Sequence, residues 1–260
     1  MPSRQDTIDT LLSRHGRLFA EDLAIDIERG TPSPLFQLLV ASILFGARIN
    51  TTIAAEATSA VFRVGWTTPA KLAHSTWKQR VDVLNSAGYP RYDDAAAILG
   101  DAVGDLLANY GGDLRQLRLR AQRAPARERQ LLKEFNGLDD AGVDFFHREV
   151  QLLWDELFPF ADQQALEVAG ELGLGRSVDD LRAVVDDADL PRLCAALVRA
   201  RDAGDLDAIR AGNDAEDAHE VATLLQERKT DLYDRARALR ISGRSKMDKQ
   251  ELAEAIARRH

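Results

Sequence analysis

The chain has 260 residues, of which 45% are hydrophobic and 29% are charged, a composition typical of a soluble globular protein. The longest strongly apolar run, residues 35–45, is well short of the roughly 20 residues that cross a bilayer, and the N-terminus lacks the apolar segment of a signal peptide. We therefore expect a cytoplasmic protein with no membrane partner.

The chain contains few cysteines and histidines, which are common metal ligands. A single cysteine, Cys194, excludes an intramolecular disulfide, a four-cysteine zinc site and a cysteine-held iron–sulfur cluster. No metal-ligand spacing occurs among the five histidines, which are His15, His74, His147, His219 and His260. We expect no metal and no other cofactor.

The formal net charge of −8 is unevenly distributed. Residues 228–260 contain ten Lys/Arg and five Asp/Glu, a net charge of +5, which leaves −13 on residues 1–227. This asymmetry indicates a polyanion-binding element at the C-terminus.

Apolar residues recur at three- and four-residue spacing almost everywhere, and no segment alternates apolar and polar residues, so the pattern predicts an all-α fold. In chain order, helices are expected at 5–14, 34–48, 50–63, 69–75, 77–86, 91–109, 113–121, 126–135, 141–156, 162–172, 178–186, 189–203, 214–227, 230–239 and 248–258. Residues 203–217 are polar and contain glycine, which makes them the candidate linker. The predicted domains are 1–202, an acidic linker and helix at 203–227, and a basic module at 228–260.

The first stretch with candidate binding residues follows the apolar helix that begins near Pro34. That helix ends in Gly46-Ala47-Arg48-Ile49-Asn50, so Arg48 and Asn50 lie at a corner between two helices. A guanidinium and an amide at such a corner can reach a DNA phosphate or a base. Ordinary capping and salt bridging are an equally good interpretation.

Five sequence landmarks follow one another along the chain. They are Pro-Leu-Phe-Gln-Leu-Leu-Val-Ala-Ser-Ile-Leu at 34–44, Gly-Tyr-Pro-Arg-Tyr at 88–92, Tyr-Gly-Gly-Asp-Leu at 110–114, Gly137-Leu138, and Pro-Phe-Ala-Asp at 159–162. Their order and spacing, over about residues 15–200, resemble the helix-hairpin-helix DNA glycosylase superfamily, the endonuclease III-like proteins. The resemblance implies a two-lobed all-helical fold that holds DNA between the lobes, with the hairpin gripping backbone phosphate.

The hairpin itself departs from that family. Its members read Leu-Pro-Gly-Val-Gly, followed shortly by a lysine in bifunctional enzymes, whereas residues 135–141 here read Phe-Asn-Gly-Leu-Asp-Asp-Ala. Gly137 and Leu138 match and are the implied phosphate contacts. Asp139 replaces the second glycine, which adds a side chain and a negative charge where backbone N–H groups would approach phosphate.

The two hairpin aspartates have a simpler interpretation. Asp139 or Asp140 can cap the helix that enters at Ala141, and this cap would use the N–H groups that a phosphate needs. Because strand cleavage by β-elimination requires an amine nucleophile, and Ala141 occupies the lysine position, we expect no lyase activity.

Three further residues carry the expected chemistry. Asp162 matches the family's catalytic carboxylate, which stabilises the cationic sugar or activates water while a flipped base departs. By its position it is also an ordinary N-cap. Arg91 and Tyr92, at a helix start, can contact backbone or an unstacked base, although surface charge and core packing explain them as well.

The basic tail has the clearest local pattern. Leu232, Ala236 and Leu239 form one helical stripe, and Leu252, Ala255 and Ile256 form another. The whole segment resembles the small helix-extended-helix module at the N-terminus of the transcription terminator Rho and is similar to SAP-type modules. The polar and cationic residues in and after its connector are the expected nucleic-acid contacts, namely Arg244, Ser245, Lys246 and Lys249. Docking of the tail on the acidic body is the alternative.

Taken with the resemblance, these features predict a DNA-binding protein related to base-excision-repair glycosylases, with monofunctional excision by Asp162. The partner is duplex DNA, damaged or intact, and the tail can also bind single-stranded nucleic acid. The alternative is a non-catalytic DNA-binding or architectural protein on a degenerate glycosylase scaffold. A third hypothesis is a protein-interaction scaffold without DNA contact, and the sequence leaves the lesion and the oligomeric state open.

Overall fold

The computed structural model describes residues 4–47, 49–211, 221, 224–239, 241, 243–244 and 247–257, and these residues form helices, turns and loops without a β-strand. The all-α prediction is confirmed for this part of the chain. None of its helices has the length and apolarity to cross a membrane. The chain forms two compact units, one of Leu11–Gly204 and one drawn from Met1–Thr10 and Asp205–His260.

The helices in the first half of the chain are α1 (Arg4–His15), α2 (Phe19–Asp22), α3 (Pro32–Gly46), α4 (Thr51–Arg63), α5 (Pro69–Ala73), α6 (Trp77–Ser86) and α7 (Tyr92–Tyr110). Those that follow are α8 (Leu114–Arg120), α9 (Pro125–Leu132), α10 (Asp140–Val150), α11 (Gln163–Glu171), α12 (Val178–Arg182), α13 (Leu190–Ala203), α14 (Leu206–Ala211), α15 (Lys229–Ala238) and α16 (Lys249–Ala257). Short 3₁₀ turns occur at Ile27–Arg29 and Asp155–Leu157.

Helix α3 is the centre of the larger unit. It is apolar on nearly every face, and it packs against α4, α7, α8 and α10. It crosses α10 at two glycines, since a Cβ placed on Gly46 would lie 2.9 Å from the Cα of Gly142. This close crossing brings the start of α10, and therefore the hairpin before it, against the C-terminal end of α3.

Two elements differ from the prediction because of contacts with distant residues. Helix α10 ends at Val150 instead of continuing to 156. The buried Gln151 side chain then binds the backbone of Phe160, donating to its carbonyl at 3.1 Å and accepting from its N–H at 2.9 Å. The unpredicted helix α2 is held by Glu149, whose carboxylate accepts the Ala20 N–H at 2.9 Å.

In the smaller unit, α15 and α16 pack through the two predicted apolar stripes, with Leu232, Ala236, Leu252 and Ile256 all fully buried. Asp248 caps α16 by accepting the Glu251 N–H at 2.8 Å, as its position predicted. The candidate linker at 203–217 contains helix α14, and most of the helix expected at 214–227 lies outside the described residues.

Candidate nucleic-acid interface

The hairpin between α9 and α10 depends on Gly137. This residue has φ of +82°, in the left-handed region, and a Cβ there would lie 2.3 Å from the Ile98 side chain. Asn136 fixes the turn on α7 by donating its amide to Asp101 at 2.9 Å. Leu138 is 4% exposed and anchors the turn in the core. Glycine and leucine therefore shape the hairpin, and Leu138 offers little surface for a ligand.

Beside the hairpin lies an open cavity of about 680 Å³. Three separate segments line it: the end of α3, the loop into α7 with the first turns of that helix, and the hairpin. The cavity brings the predicted contacts Arg91, Gly137 and Leu138 together with two residues not assigned from sequence, Lys133 and Asn136. The tertiary fold therefore gathers two cations, Arg91 and Lys133, from distant parts of the chain, and the same lining carries Asp94, Glu134 and Asp139.

The hairpin aspartates serve the hairpin's own structure. Asp139 caps α10 by accepting the Gly142 N–H at 3.1 Å, which confirms the capping prediction. Asp140 pairs with Lys133 at 2.9 Å and with Arg129 at 3.1 Å, and Asp144 also pairs with Arg129. The hydrogen bond from Lys133 holds the pKa of Asp140 below its usual value, while burial raises the pKa of Asp144. Arg129 on α9 and Lys133, the C-cap of that helix, are thus neutralised within the protein.

The predicted contacts between α3 and α4 and those at the start of α7 differ in their roles. Asn50 is the N-cap of α4 and accepts the Thr52 N–H at 2.9 Å, so its side-chain oxygen has the structural role. Arg48 lies outside the described residues. Arg91 is exposed, occupies the left-handed region with φ of 52°, and precedes Tyr92, which is 37% exposed. Arg91 and Tyr92 are therefore accessible to a ligand.

Asp162 is the N-cap of α11 and is only 4% exposed. One carboxylate oxygen accepts the Ala165 N–H at 3.0 Å, and the other accepts from the Arg148 guanidinium at 2.7 Å. Both oxygens are engaged with protein groups. In this arrangement the carboxylate stabilises a helix end and a buried cation.

A buried ionic and aromatic layer surrounds this pair. The Arg148 guanidinium lies 5.3 Å from the centre of the Phe19 ring and 5.4 Å from that of Phe145. Burial raises the pKa of Glu149, and it raises the pKa of the Cys194 thiol to about 12. Cys194 is therefore an unreactive core residue.

His147, which the sequence left as either structural or exposed, is also buried. Burial lowers its pKa to about 3, so the imidazole is neutral. It packs edge-on against Phe160, with 5.4 Å between ring centres. The neighbouring Phe145 and Phe146 are core residues as predicted. The inner face of α10 thus carries ionisable groups that serve packing and orientation.

In the C-terminal module, two predicted contacts have structural partners. Arg244 is partly buried and donates to the Ile241 carbonyl at 3.0 Å, and Lys249 donates to the Leu225 carbonyl at 2.7 Å. Ser245 and Lys246 lie outside the described residues. Among the residues of α15 and its N-cap, the cations most open to solvent are Arg228, Lys229 and Arg237.

Within the described ranges, no group of three or more His, Cys, Asp or Glu side chains is arranged to hold a metal ion. Comparisons of the chain with protein-family models, with curated proteins and with solved structures gave no match.

Proposed function

We propose that this protein binds DNA without excising a base, on a two-lobed scaffold similar to that of the helix-hairpin-helix glycosylases. The observation that carries the proposal is the cavity beside the hairpin. There Arg91, Lys133, Asn136 and the Gly137 backbone converge from segments far apart in the chain. Cationic, amide and backbone groups of this kind supply most protein contacts to DNA phosphate.

The proposal excludes excision because of the environment of Asp162. A carboxylate that activates water or stabilises a cationic sugar must reach the reacting atoms. Asp162 instead has its oxygens bound by Arg148 and by the Ala165 N–H, inside a layer closed by aromatic rings. Ala141 at the position of the family's lyase lysine bears on a separate activity, because it leaves no amine there for strand cleavage by β-elimination.

The C-terminal module supplies a second, electrostatic contribution. Its net charge of +5 and the exposed Lys229 and Arg237 favour phosphate neutralisation on any sequence. The hairpin cations Arg129 and Lys133 are held by aspartates, so the module compensates for the weakened hairpin charge. We expect binding that depends strongly on salt and weakly on base sequence.

The test is fluorescence anisotropy of the full-length protein with a labelled duplex over a series of salt concentrations. Reversing the charge of Arg91 to glutamate should weaken binding by about tenfold or more, since it converts an attractive phosphate contact into a repulsive one. Arg63→Glu is the matched control, because the Arg63 side chain is 70% exposed and lies outside the cavity. The double variant K229E/R237E should flatten the salt dependence. Equal affinity of Arg91→Glu and Arg63→Glu would contradict the role of the cavity.

The absence of excision is tested separately. Duplexes with oxidised, alkylated or mispaired bases are incubated with the wild-type protein and then treated with hot alkali to cleave abasic sites. We expect no product above the protein-free control. Product above that control would contradict the proposal, and product that disappears in an Asp162→Asn protein shown by circular dichroism to be folded would restore the catalytic hypothesis.

A further inference from the structure

A strongly basic segment covers α8, α9 and the turn between them. Residues 114–133 contain seven Lys/Arg and one Asp/Glu, a net charge of +6, whereas the 33 residues of the C-terminal module carry +5. The one carboxylate of the segment, Glu128, is fully buried. Because residues 1–227 carry −13 in total, the segment leaves −19 on the rest of them. Such a concentration of cations on an acidic body is a candidate binding surface for an anion.

Most of these cations already have carboxylate partners. Five of the seven lie 3.9 Å or less from a carboxylate, namely Arg115 from Asp113, Arg118 and Arg123 from Asp155, and Arg129 and Lys133 from Asp140. The other two, Arg120 and Arg127, are exposed, and neither forms an ion pair with a carboxylate among the described residues. Arg127 donates to the neutral side chain of Gln130 at 3.0 Å. These two guanidiniums are therefore available to an anionic ligand.

Arg120 and Arg127 lie around one phenol at the end of α7. The Arg120 guanidinium is 5.8 Å from the centre of the Tyr110 ring. Burial raises the pKa of Tyr110, and the positive charges of Arg120 and Arg127 both oppose that rise, so both guanidiniums lie near the phenol. The Glu134 carboxylate acts on the same phenol in the opposite direction. Two positive charges and one negative charge thus meet at this point of the surface.

The two arginines adjoin the hairpin cavity without lining it. The centre of the Tyr110 ring lies 5.9 Å from that of Phe135, and Phe135 is part of the cavity wall. Helix α9 also connects the two places, since Arg127 lies in its first turn and the cavity residue Lys133 is its C-cap. Because a duplex presents phosphates continuously along both strands, a duplex held at the cavity can extend onto Arg120 and Arg127.

We propose that Arg120 and Arg127 form a second phosphate-binding site, which contacts the backbone of duplex DNA beyond the hairpin cavity. The inference rests on the proposed DNA-binding function and names the surface onto which the duplex extends. A guanidinium presents a fixed fork of N–H donors that matches two phosphate oxygens, and neither arginine has to leave a carboxylate in order to bind. Since the contact is to the backbone, it is indifferent to base sequence.

The test is fluorescence anisotropy of the full-length protein with labelled duplexes over a series of salt concentrations. Arg120→Gln/Arg127→Gln removes both charges. It should lower the slope of log Kd against log salt by about 2 and weaken binding at low salt by about tenfold or more, equally for duplexes of different sequence. Arg120→Lys/Arg127→Lys, which keeps both charges, should retain the slope.

The matched control is Arg17→Gln/Arg63→Gln. It removes the same net charge from side chains that are 69% and 70% exposed and lie outside the cavity. Its slope and affinity should stay close to those of the wild type. Circular dichroism of each variant checks that the helices are intact.

The outcomes separate this inference from the proposed function. Equal slopes in Arg120→Gln/Arg127→Gln and in the control would overturn the second site, even if Arg91→Glu still weakened binding. An equal loss of slope in the lysine and glutamine variants would also overturn it, because a phosphate contact requires the charge. Absence of duplex binding by the full-length protein would overturn the second site and the proposed function together.

Discussion

Two carboxylate–cation pairs in the larger unit have similar geometry and opposite environments. Asp140 and Lys133 meet at 2.9 Å with side chains 66% and 42% exposed, whereas Asp162 and Arg148 meet at 2.7 Å with side chains 3% and 5% exposed. The first pair lies on the hairpin and the second lies in the core. The comparison indicates that the hairpin pair can exchange its partner for a ligand, while the core pair is part of the fold.

The physical reason is solvation. An exposed ion pair contributes little, because water and salt screen both charges and two flexible side chains must be ordered. A buried pair has already lost its hydration, so each charge depends on the other and on its hydrogen bonds. The aspartate that resembles a catalytic residue is thus the one with the larger structural role.

The largest expected effect follows from breaking the core pair. Asp162→Asn leaves the Arg148 guanidinium buried without its counter-charge, and we expect a loss of about 3–5 kcal/mol in the free energy of unfolding. Urea denaturation followed by circular dichroism measures it. The double variant Arg148→Met/Asp162→Asn removes the orphan charge and should be more stable than the single variant. A single variant as stable as the wild type would show that the pair is solvated.

A buried glutamate that lies beside another carboxylate gives a second test of how burial affects a charge. Glu128 is fully buried, and burial, followed by the neighbouring Glu156 carboxylate, raises the pKa of Glu128 from 4.5 to about 8. The folded state therefore retains a proton that the unfolded chain loses above pH 4.5, so stability should fall as pH rises from about 4.5 to about 8.

The expected loss over that range is roughly a few kcal/mol, because each pKa unit corresponds to about 1.4 kcal/mol. Glu128→Gln keeps a neutral side chain at every pH and should remove the decline. Thermal unfolding of both proteins between those pH values provides the measurement. Parallel stability profiles for the wild type and Glu128→Gln would rule out a proton held at this position.

The smallest expected effect belongs to the exposed pair. Asp140→Asn frees Lys133 and partly frees Arg129, so duplex affinity should rise by a factor of roughly 2 to 10 at low salt. Stability should change by less than about 1 kcal/mol. Asp187→Asn is the control, since Asp187 forms a similar exposed pair with Arg182 at 3.1 Å. An equal rise in affinity for both variants would mean that net charge alone matters.

The local parts of the fold and site could be predicted from sequence. Asp139 and Asp248 cap helices where a short polar residue precedes an apolar run, and Gly111 ends α7 in a left-handed conformation. These features depend on neighbours within a few residues, which the sequence displays directly.

Other features needed partners that are distant in the chain. The phenol of Tyr89 donates to the Leu44 carbonyl at 2.9 Å, and Glu149 accepts the Ala20 N–H, so the loop before α7 and the short helix α2 are both placed by remote contacts. Periodicity contains no information on such pairings. For that reason α2 and the true end of α10 were not predicted.

The sequence alone determined that the regular secondary structure of the described residues is helical, that Cys194 has no cysteine partner, and that two apolar stripes pair in the C-terminal module. It did so because backbone propensity, residue counts and helical periodicity are local or compositional properties. Only the tertiary structure decided that Asp162 is buried against Arg148, that Asp140 and Asp144 hold Arg129 and Lys133, and that the Trp77 indole binds the Asp93 carbonyl. Burial and partner choice depend on the three-dimensional packing of distant segments, and the same aspartate can be a catalyst, a cap or a counter-ion according to that packing.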